Sequence, residues 1–300
     1  MSKHKPRIFT GVATAMATPF KSGKIDYEAF SEMIGYQIRS EIDALVIAGT
    51  TGEASTLTDE EYRSLIRFAV RKVGGRVPVI AGSGSNCTDK ACRLTSEAFE
   101  AGADACLVVT PYYNKASQRG LAESYRAIAE VSKKPIMVYN VPSRTGVNIS
   151  LDTYEKLAEV ENITAVKEAD PDIAKTAELI RRLGDRLDVY TGNDNELLPT
   201  LALGGAGVIS VASNIVPAEV KSVCRSWLGG NTAEARREFY HLLPLMNALF
   251  SDVNPIPVKT ALAMRSVCKE EFRLPLCPMS DAGKARLADI LNGYFQPAKE

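Results

Sequence analysis

Lys167 ends the apolar run Asn162-Ile163-Thr164-Ala165-Val166. An amine at the tip of such a strand, held among apolar walls, loses its proton more readily and can attack a ketone carbon. The resulting imine withdraws electrons from the neighbouring carbon, which is the activation that aldol chemistry needs. A lysine just beyond a strand, or one in a structural ion pair, would occupy the same position. Tyr139 ends the preceding apolar run, and a phenol that both donates and accepts can pass a proton between a substrate oxygen and a lysine nitrogen. An ordinary barrel aromatic fits that pattern as well. Thr50 and Thr51 lie in Gly49-Thr50-Thr51-Gly52-Glu53, where hydroxyls and backbone N–H groups suit a proton relay or a carboxylate, or simply cap a turn. Arg144, in Ser143-Arg144-Thr145-Gly146, suits a carboxylate clamp or a solvated loop.

Other chemistries find little support. The histidines are His4 and His241, too few for a histidine-built zinc site or a Ser-His-Asp triad. Six cysteines form no CxxC pair and are too dilute for a disulfide scaffold, so they read as reduced core thiols. GTTGE and SGSN are glycine-rich, but neither is a P-loop, and no GxGxxG opens a helix beside an acidic partner. Thirty-six basic residues balance 36 acidic ones, giving no net field toward nucleic acid or anionic lipid. The first ten residues lack an apolar signal core, and no stretch approaches 18 apolar residues. The expected location is cytoplasmic, with no membrane and no nucleic-acid partner.

These candidates need strands to carry them, and the chain supplies a regular beat. Apolar runs at Phe9-Ala15, Ala44-Ala48, Val77-Gly82, Ala105-Thr110, Pro135-Asn140, Ile163-Lys167, Leu187-Thr191 and Gly207-Val211 predict eight buried strands. Helical patterns fall between them at Tyr27-Arg39, Asp59-Val73, Thr88-Ala101, Gln118-Val131, Leu151-Val160, Asp172-Leu183 and Asn195-Leu203. Thr58 with Glu61 forms a capping-box signature. Eight βα units fit a closed (β/α)8 TIM barrel better than an open sheet with two bare edges. The candidate residues then gather at the C-terminal ends of the strands. From Pro217 the strand beat stops. Ala218-Trp227 supplies the eighth barrel helix, and Thr232-Phe250, Pro257-Lys269 and Ala282-Tyr294 form a helical extension. The expected division is a catalytic barrel over 1–230 and a C-terminal helical domain over 231–300.

GTTGEASTLTDEE at 49–61, PYYNK at 111–115, YNVPSRTG at 139–146, VKEA at 166–169, TGND at 191–194, GVISV at 207–211 and NPIPVK at 254–259, in this order, closely resemble the dihydrodipicolinate synthase family over almost the whole chain. The resemblance implies condensation of pyruvate with L-aspartate 4-semialdehyde in diaminopimelate and L-lysine biosynthesis. No cofactor or metal is implied, and the assembly would be a homotetramer built from tight dimers. By resemblance, Lys167 forms the imine with pyruvate, and Tyr139, Thr50 and Tyr113 form a proton relay, Tyr113 reaching into the neighbouring subunit. Thr51 and the Ile209 carbonyl match pyruvate-side contacts, Arg144 matches the group receiving the semialdehyde's carboxylate, and Gly192 lies in the loop after the seventh strand. N-acetylneuraminate lyases and 2-keto-3-deoxy sugar acid aldolases share the lysine and tyrosine. Thr51 and Arg144 favour the synthase. A non-catalytic barrel would not be expected to keep Lys167, Tyr139, Thr50, Tyr113 and Arg144 together. Members inhibited by L-lysine commonly have a histidine and a glutamate where this chain has Tyr62 and Lys90, which implies weak feedback inhibition.

Overall fold

A computed structural model describes residues 5–295 of the chain; His4 lies outside them. In chain order, β1 (Gly11–Ala15) leads through a small hairpin of β2 (Phe20–Lys21) and β3 (Lys24–Ile25) into α1 (Tyr27–Arg39). Then come β4 (Ala44–Ile47) with α2 (Asp59–Val73), β5 (Val79–Gly82) with α3 (Thr88–Glu100), and β6 (Ala105–Val109) with α4 (Gln118–Glu130). β7 (Ile136–Asn140) is followed by the short α5 (Pro142–Thr145) and by α6 (Leu151–Ala158). β8 (Ile163–Glu168) with α7 (Ile173–Leu183), β9 (Asp188–Thr191) with α8 (Leu197–Ala202), and β10 (Gly207–Ser210) with α9 (Pro217–Leu228) complete the units. The eight long strands are parallel and close into a barrel in the order β1-β10-β9-β8-β7-β6-β5-β4.

Closure is tight where the first and last strands meet. Gly207 has φ +147, and a Cβ there would lie 1.8 Å from the Gly11 carbonyl oxygen, so only glycine fits. Inside, small residues such as Ala13, Ala44, Ala105 and Ala165 are buried together with a few large ones. Phe9 and Tyr190 stack with ring centroids 4.3 Å apart, and the Tyr190 hydroxyl donates to the Phe9 carbonyl at 2.5 Å. Outside, a continuous apolar layer joins strands and helices, as expected of strands buried on both faces.

Helix starts follow local chemistry. The Thr58 hydroxyl accepts from the Glu61 N–H while the Glu61 carboxylate accepts from the Thr58 N–H, so α2 opens with the expected reciprocal cap. Two expectations need correction. The helix anticipated over Pro257-Lys269 is α11 (Ile256–Met264), ending five residues early, just before the left-handed backbone of Ser266 at φ +58. The segment anticipated as helical from Asn195 begins with a 3-10 turn over Asp194–Glu196 before α8. The β2–β3 hairpin and α5 are too short for hydrophobic periodicity to reveal. Beyond the barrel, α10 (Thr232–Ala248) packs on α9, and α12 (Asp281–Phe295) packs on α10 and α11.

Candidate active site

Lys167 owes its direction to a bulge. Ile136 pairs with Ile163, but Met137 pairs with Ala165, so Thr164 is an extra residue in β8. Ile163 lies in the outer apolar layer and Ala165 in the inner one, although they are two residues apart. Strict alternation from Ile163 would turn Lys167 outward. The bulge turns it inward, beside Tyr139 on one flank and Tyr190 on the other. Its side chain is buried, with Nζ 4.3 Å from the Tyr139 ring centroid. That face of the ring attracts an ammonium when the lysine is charged.

Glu168 takes the opposite face. Its carboxylate accepts from Asn140 Nδ2 at 2.7 Å, the Tyr154 hydroxyl at 3.0 Å and the Asp170 N–H at 2.9 Å, with Lys175 Nζ 3.5 Å away. Burial raises its pKa, opposed by Lys175 and by these donors. The tip of β8 is thereby clamped from outside while Lys167 points in. Gly192 sits directly against the lysine: a Cβ there would lie 2.7 Å from Lys167 Cε and 2.9 Å from Ala169 Cβ. Any side chain at 192 would displace the amine, so this glycine is a matter of space. Ile209 is fully buried on the inner face of β10.

A cavity of about 460 Å³ opens at the C-terminal ends of β4 to β7. Thr50, Tyr139 and Arg144 all line it. Thr51 does not; its buried hydroxyl accepts from Asn254 Nδ2 at 3.0 Å. Arg144, on α5, donates from Nη2 to the Asn254 carbonyl at 3.2 Å. Tyr113 stands apart from the cavity lining. It is 91% exposed and held at φ +72 in the loop after β6. A larger groove of about 750 Å³ lies between α1 and the segment after α11, away from every candidate residue.

Sequence reasoning gave no role to several residues that shape this site. Asp194 is buried beneath the strand ends, and one carboxylate oxygen accepts from the Val211 and Ala212 N–H groups at 2.9 and 3.0 Å. Burial holds its carboxyl above the usual carboxylate range, against the pull of these donors and of the Lys167 charge. Glu53 and Lys259 form an ion pair with both side chains fully buried, and the Glu53 carboxylate also accepts the Arg273 N–H. The available signals were a lysine inside the apolar segment Ile256–Met264 and an acidic residue closing a glycine-rich loop. Among the described residues, no group of three or more His, Cys, Asp or Glu side chains is arranged to hold a metal ion. No helix among them is long and apolar enough to cross a membrane.

The model of the dihydrodipicolinate synthetase family matches residues 8–293. The chain belongs to that family. A 4-hydroxy-tetrahydrodipicolinate synthase of Aquifex aeolicus is 48% identical over 293 residues, covering 97% of this chain and all of the relative. The protein of the same designation from Thermodesulfovibrio yellowstonii is 49% identical over 284 residues, covering 95% and 98%. The crystal structure of dihydrodipicolinate synthase from Aquifex aeolicus superposes with a TM-score of 0.94 at 47% identity, over 97% of this chain and 100% of that one. The family's barrel is therefore present essentially whole, including the helices after β10.

Proposed function

We propose that this chain has 4-hydroxy-tetrahydrodipicolinate synthase activity, condensing pyruvate with L-aspartate 4-semialdehyde through an imine on Lys167. The observation carrying this reading is the bulge-directed amine, buried inside the barrel against Tyr139. The neutral Lys167 amine adds to the pyruvate ketone, and loss of water leaves a protonated imine. Removal of a proton from the methyl carbon gives an enamine, which attacks the aldehyde of the second substrate. The new alkoxide takes a proton. The substrate's own amine then displaces Lys167 from the same carbon, closing the ring and freeing the enzyme. One water is released overall, and the protein imine is the electron sink, so the reading needs no cofactor and no metal.

In this reading Tyr139 and Thr50 carry protons at the cavity wall, and Tyr113 completes their relay from a neighbouring subunit. Its almost full exposure on a left-handed backbone supports that role, since a lone chain leaves it outside the cavity. Thr51 and the Ile209 carbonyl serve the pyruvate side, Gly192 leaves room for the amine, and Arg144 takes the semialdehyde's carboxylate in a charge-assisted pair. The assembly in this reading is a homotetramer of tight dimers acting in the cytoplasm.

Borohydride reduction in the presence of pyruvate tests the central step. The expected product is a single adduct mapping to Lys167, and an adduct on another lysine overturns the assignment. A coupled assay comparing L-aspartate 4-semialdehyde with N-acetylneuraminate then separates the synthase from the sugar-acid lyases.

A further inference from the structure

We propose that Asn254 is a positioning residue for the carboxylate of pyruvate, acting through the hydroxyl of Thr51. This rests on the pyruvate-binding reading above and extends it beyond the barrel strands, to the segment that begins α11. Thr51 Oγ1 accepts an N–H from the Asn254 carboxamide at 3.0 Å, in a buried contact between residues 203 apart in sequence. A hydroxyl has one hydrogen to give and lone pairs to receive. With a donor already at its oxygen, Thr51 keeps its own hydrogen for another acceptor, and a carboxylate binds only through donors. Asn254 therefore sets the polarity of Thr51 to the one an anionic substrate needs.

Two features indicate that this orientation matters. The Asn254 Oδ1 atom is buried without a hydrogen-bond partner, and leaving such an acceptor unmet is costly. Rotating the carboxamide would let Oδ1 accept from Thr51, but would consume the hydrogen a ligand requires. The contact is also held from both sides. Arg144 Nη2 donates to the Asn254 backbone carbonyl. Further along the same segment, Lys259 is paired with Glu53, two residues beyond Thr51. The carboxamide therefore meets Thr51 from a fixed backbone.

The geometry also separates two roles. The side chain of Asn254 serves Thr51, while its backbone carbonyl serves Arg144. Removing the side chain leaves the second contact in place. Asn254→Ala is expected to raise the pyruvate KM about tenfold, the loss of one oriented contact to a charged group, while the KM for L-aspartate 4-semialdehyde changes less than about twofold. Asn254→Asp, nearly isosteric, should weaken pyruvate further, because the new carboxylate takes the Thr51 hydrogen and repels the substrate anion. This loss should shrink as the pH falls toward the range where the introduced carboxyl is protonated. In a Thr51→Val background, Asn254→Ala should add almost nothing.

The experiment measures both KM values, the pyruvate dependence of borohydride trapping and the thermal midpoint for wild type, Asn254→Ala, Asn254→Asp, Thr51→Val and the Thr51→Val/Asn254→Ala double variant. A selective rise in pyruvate KM that vanishes in the Thr51→Val background supports the assignment. Equal rises in both KM values, an unchanged pyruvate KM, or an undiminished effect without the Thr51 hydroxyl overturns it. Should Asn254→Ala fail to fold, Asn254→Asp decides alone: a pyruvate-selective, pH-dependent loss supports the role and its absence overturns it. A wild-type protein that traps no pyruvate refutes the underlying reading instead, before any variant is compared.

Discussion

Lys259 Nζ lies 2.5 Å from Glu53 Oε1, and both side chains are wholly removed from solvent. The ammonium is also 4.3 Å from the Phe20 ring centroid and 5.0 Å from that of Phe272. Burial lowers the lysine's pKa, opposed by Glu53. Such a pair contributes little net stability against a well-packed apolar replacement, but removing one partner strands the other charge. Lys259→Met should therefore cost about 3–5 kcal/mol, and adding Glu53→Gln should recover much of that loss. Denaturant unfolding of the two variants checks it; a double variant no better than the single would refute the stranded-charge account.

Arg144→Ala should impair the second substrate far more than the first. Loss of a charge-assisted carboxylate contact is worth roughly tenfold to a hundredfold in kcat/KM for the semialdehyde, whereas Lys167 remains free to trap pyruvate. Single-turnover adduct formation measured beside steady-state rates separates the two steps. Parallel losses in a folded variant would show that Arg144 serves both.

On the proposed relay, Tyr113→Phe should lower kcat by at least about tenfold without preventing adduct formation, because the substitution keeps the ring and removes only the hydroxyl. If the group acts across subunits, activity per chain should fall as the protein is diluted below its dimer dissociation constant. Sedimentation combined with rate measurements tests this. A fully active monomer would remove Tyr113 from the site.

Asp194 gives a pH dependence with a defined sign. Burial raises its carboxyl pKa above the ordinary 3.8, so the folded protein retains a proton that the unfolded chain has released. Its contribution to stability is complete below about pH 3.8 and declines as the pH rises through the folded value. Asp194→Asn abolishes that decline. The stability of the variant relative to wild type should therefore rise as the pH climbs above about 3.8 in urea titrations. A relative fall would mean that the buried carboxylate is preferred to the acid.

L-Lysine should inhibit weakly. Tyr62 is buried with its hydroxyl donating to the Leu94 carbonyl, and Lys90 and Asp59 line the same cavity as Thr50. The Asp59 carboxylate is paired with Arg93 at 3.0 Å, leaving the Lys90 cation to oppose a second ammonium. Initial rates at substrate concentrations near KM are expected to change less than about twofold at about 1 mM L-lysine. Strong submillimolar inhibition would show that the cleft accommodates the cation despite Lys90.

What could be read in advance was chemistry local in sequence. Thr58 and Glu61 specify their helix start within four residues, and α1 and α2 run from Tyr27 to Arg39 and from Asp59 to Val73, as anticipated. Lys167 and Tyr139 were legible because strand ends in a barrel converge on one face. The bulge at Thr164 was not, since nothing in its immediate composition distinguishes it from regular strand. Thr51 was visible as a hydroxyl, but its partner Asn254 is 203 residues away. The Glu53–Lys259 pair spans 206 residues, and no periodicity connects such positions. The expected continuation of α11 to Lys269 failed because the backbone turns left-handed at Ser266, φ +58, two residues past the last helical one.

Biogenesis imposes an order on this architecture. As the polypeptide leaves the ribosome, Thr50, Tyr139, Lys167 and Ile209 all emerge before Asn254 and Lys259. The barrel cannot shut until Gly207 reaches Gly11, and the loop carrying Thr51 and Glu53 must wait still longer for its partners. Contacts of such sequence separation form late because the intervening chain must first be ordered. Until Lys259 is in place, the Glu53 carboxylate lacks its buried counterion, so a nascent chain that already holds Lys167 still lacks a set loop at Thr51 and Glu53. The loop bearing Thr51 and Glu53 is thereby set only after the segment carrying Asn254 and Lys259 has been made.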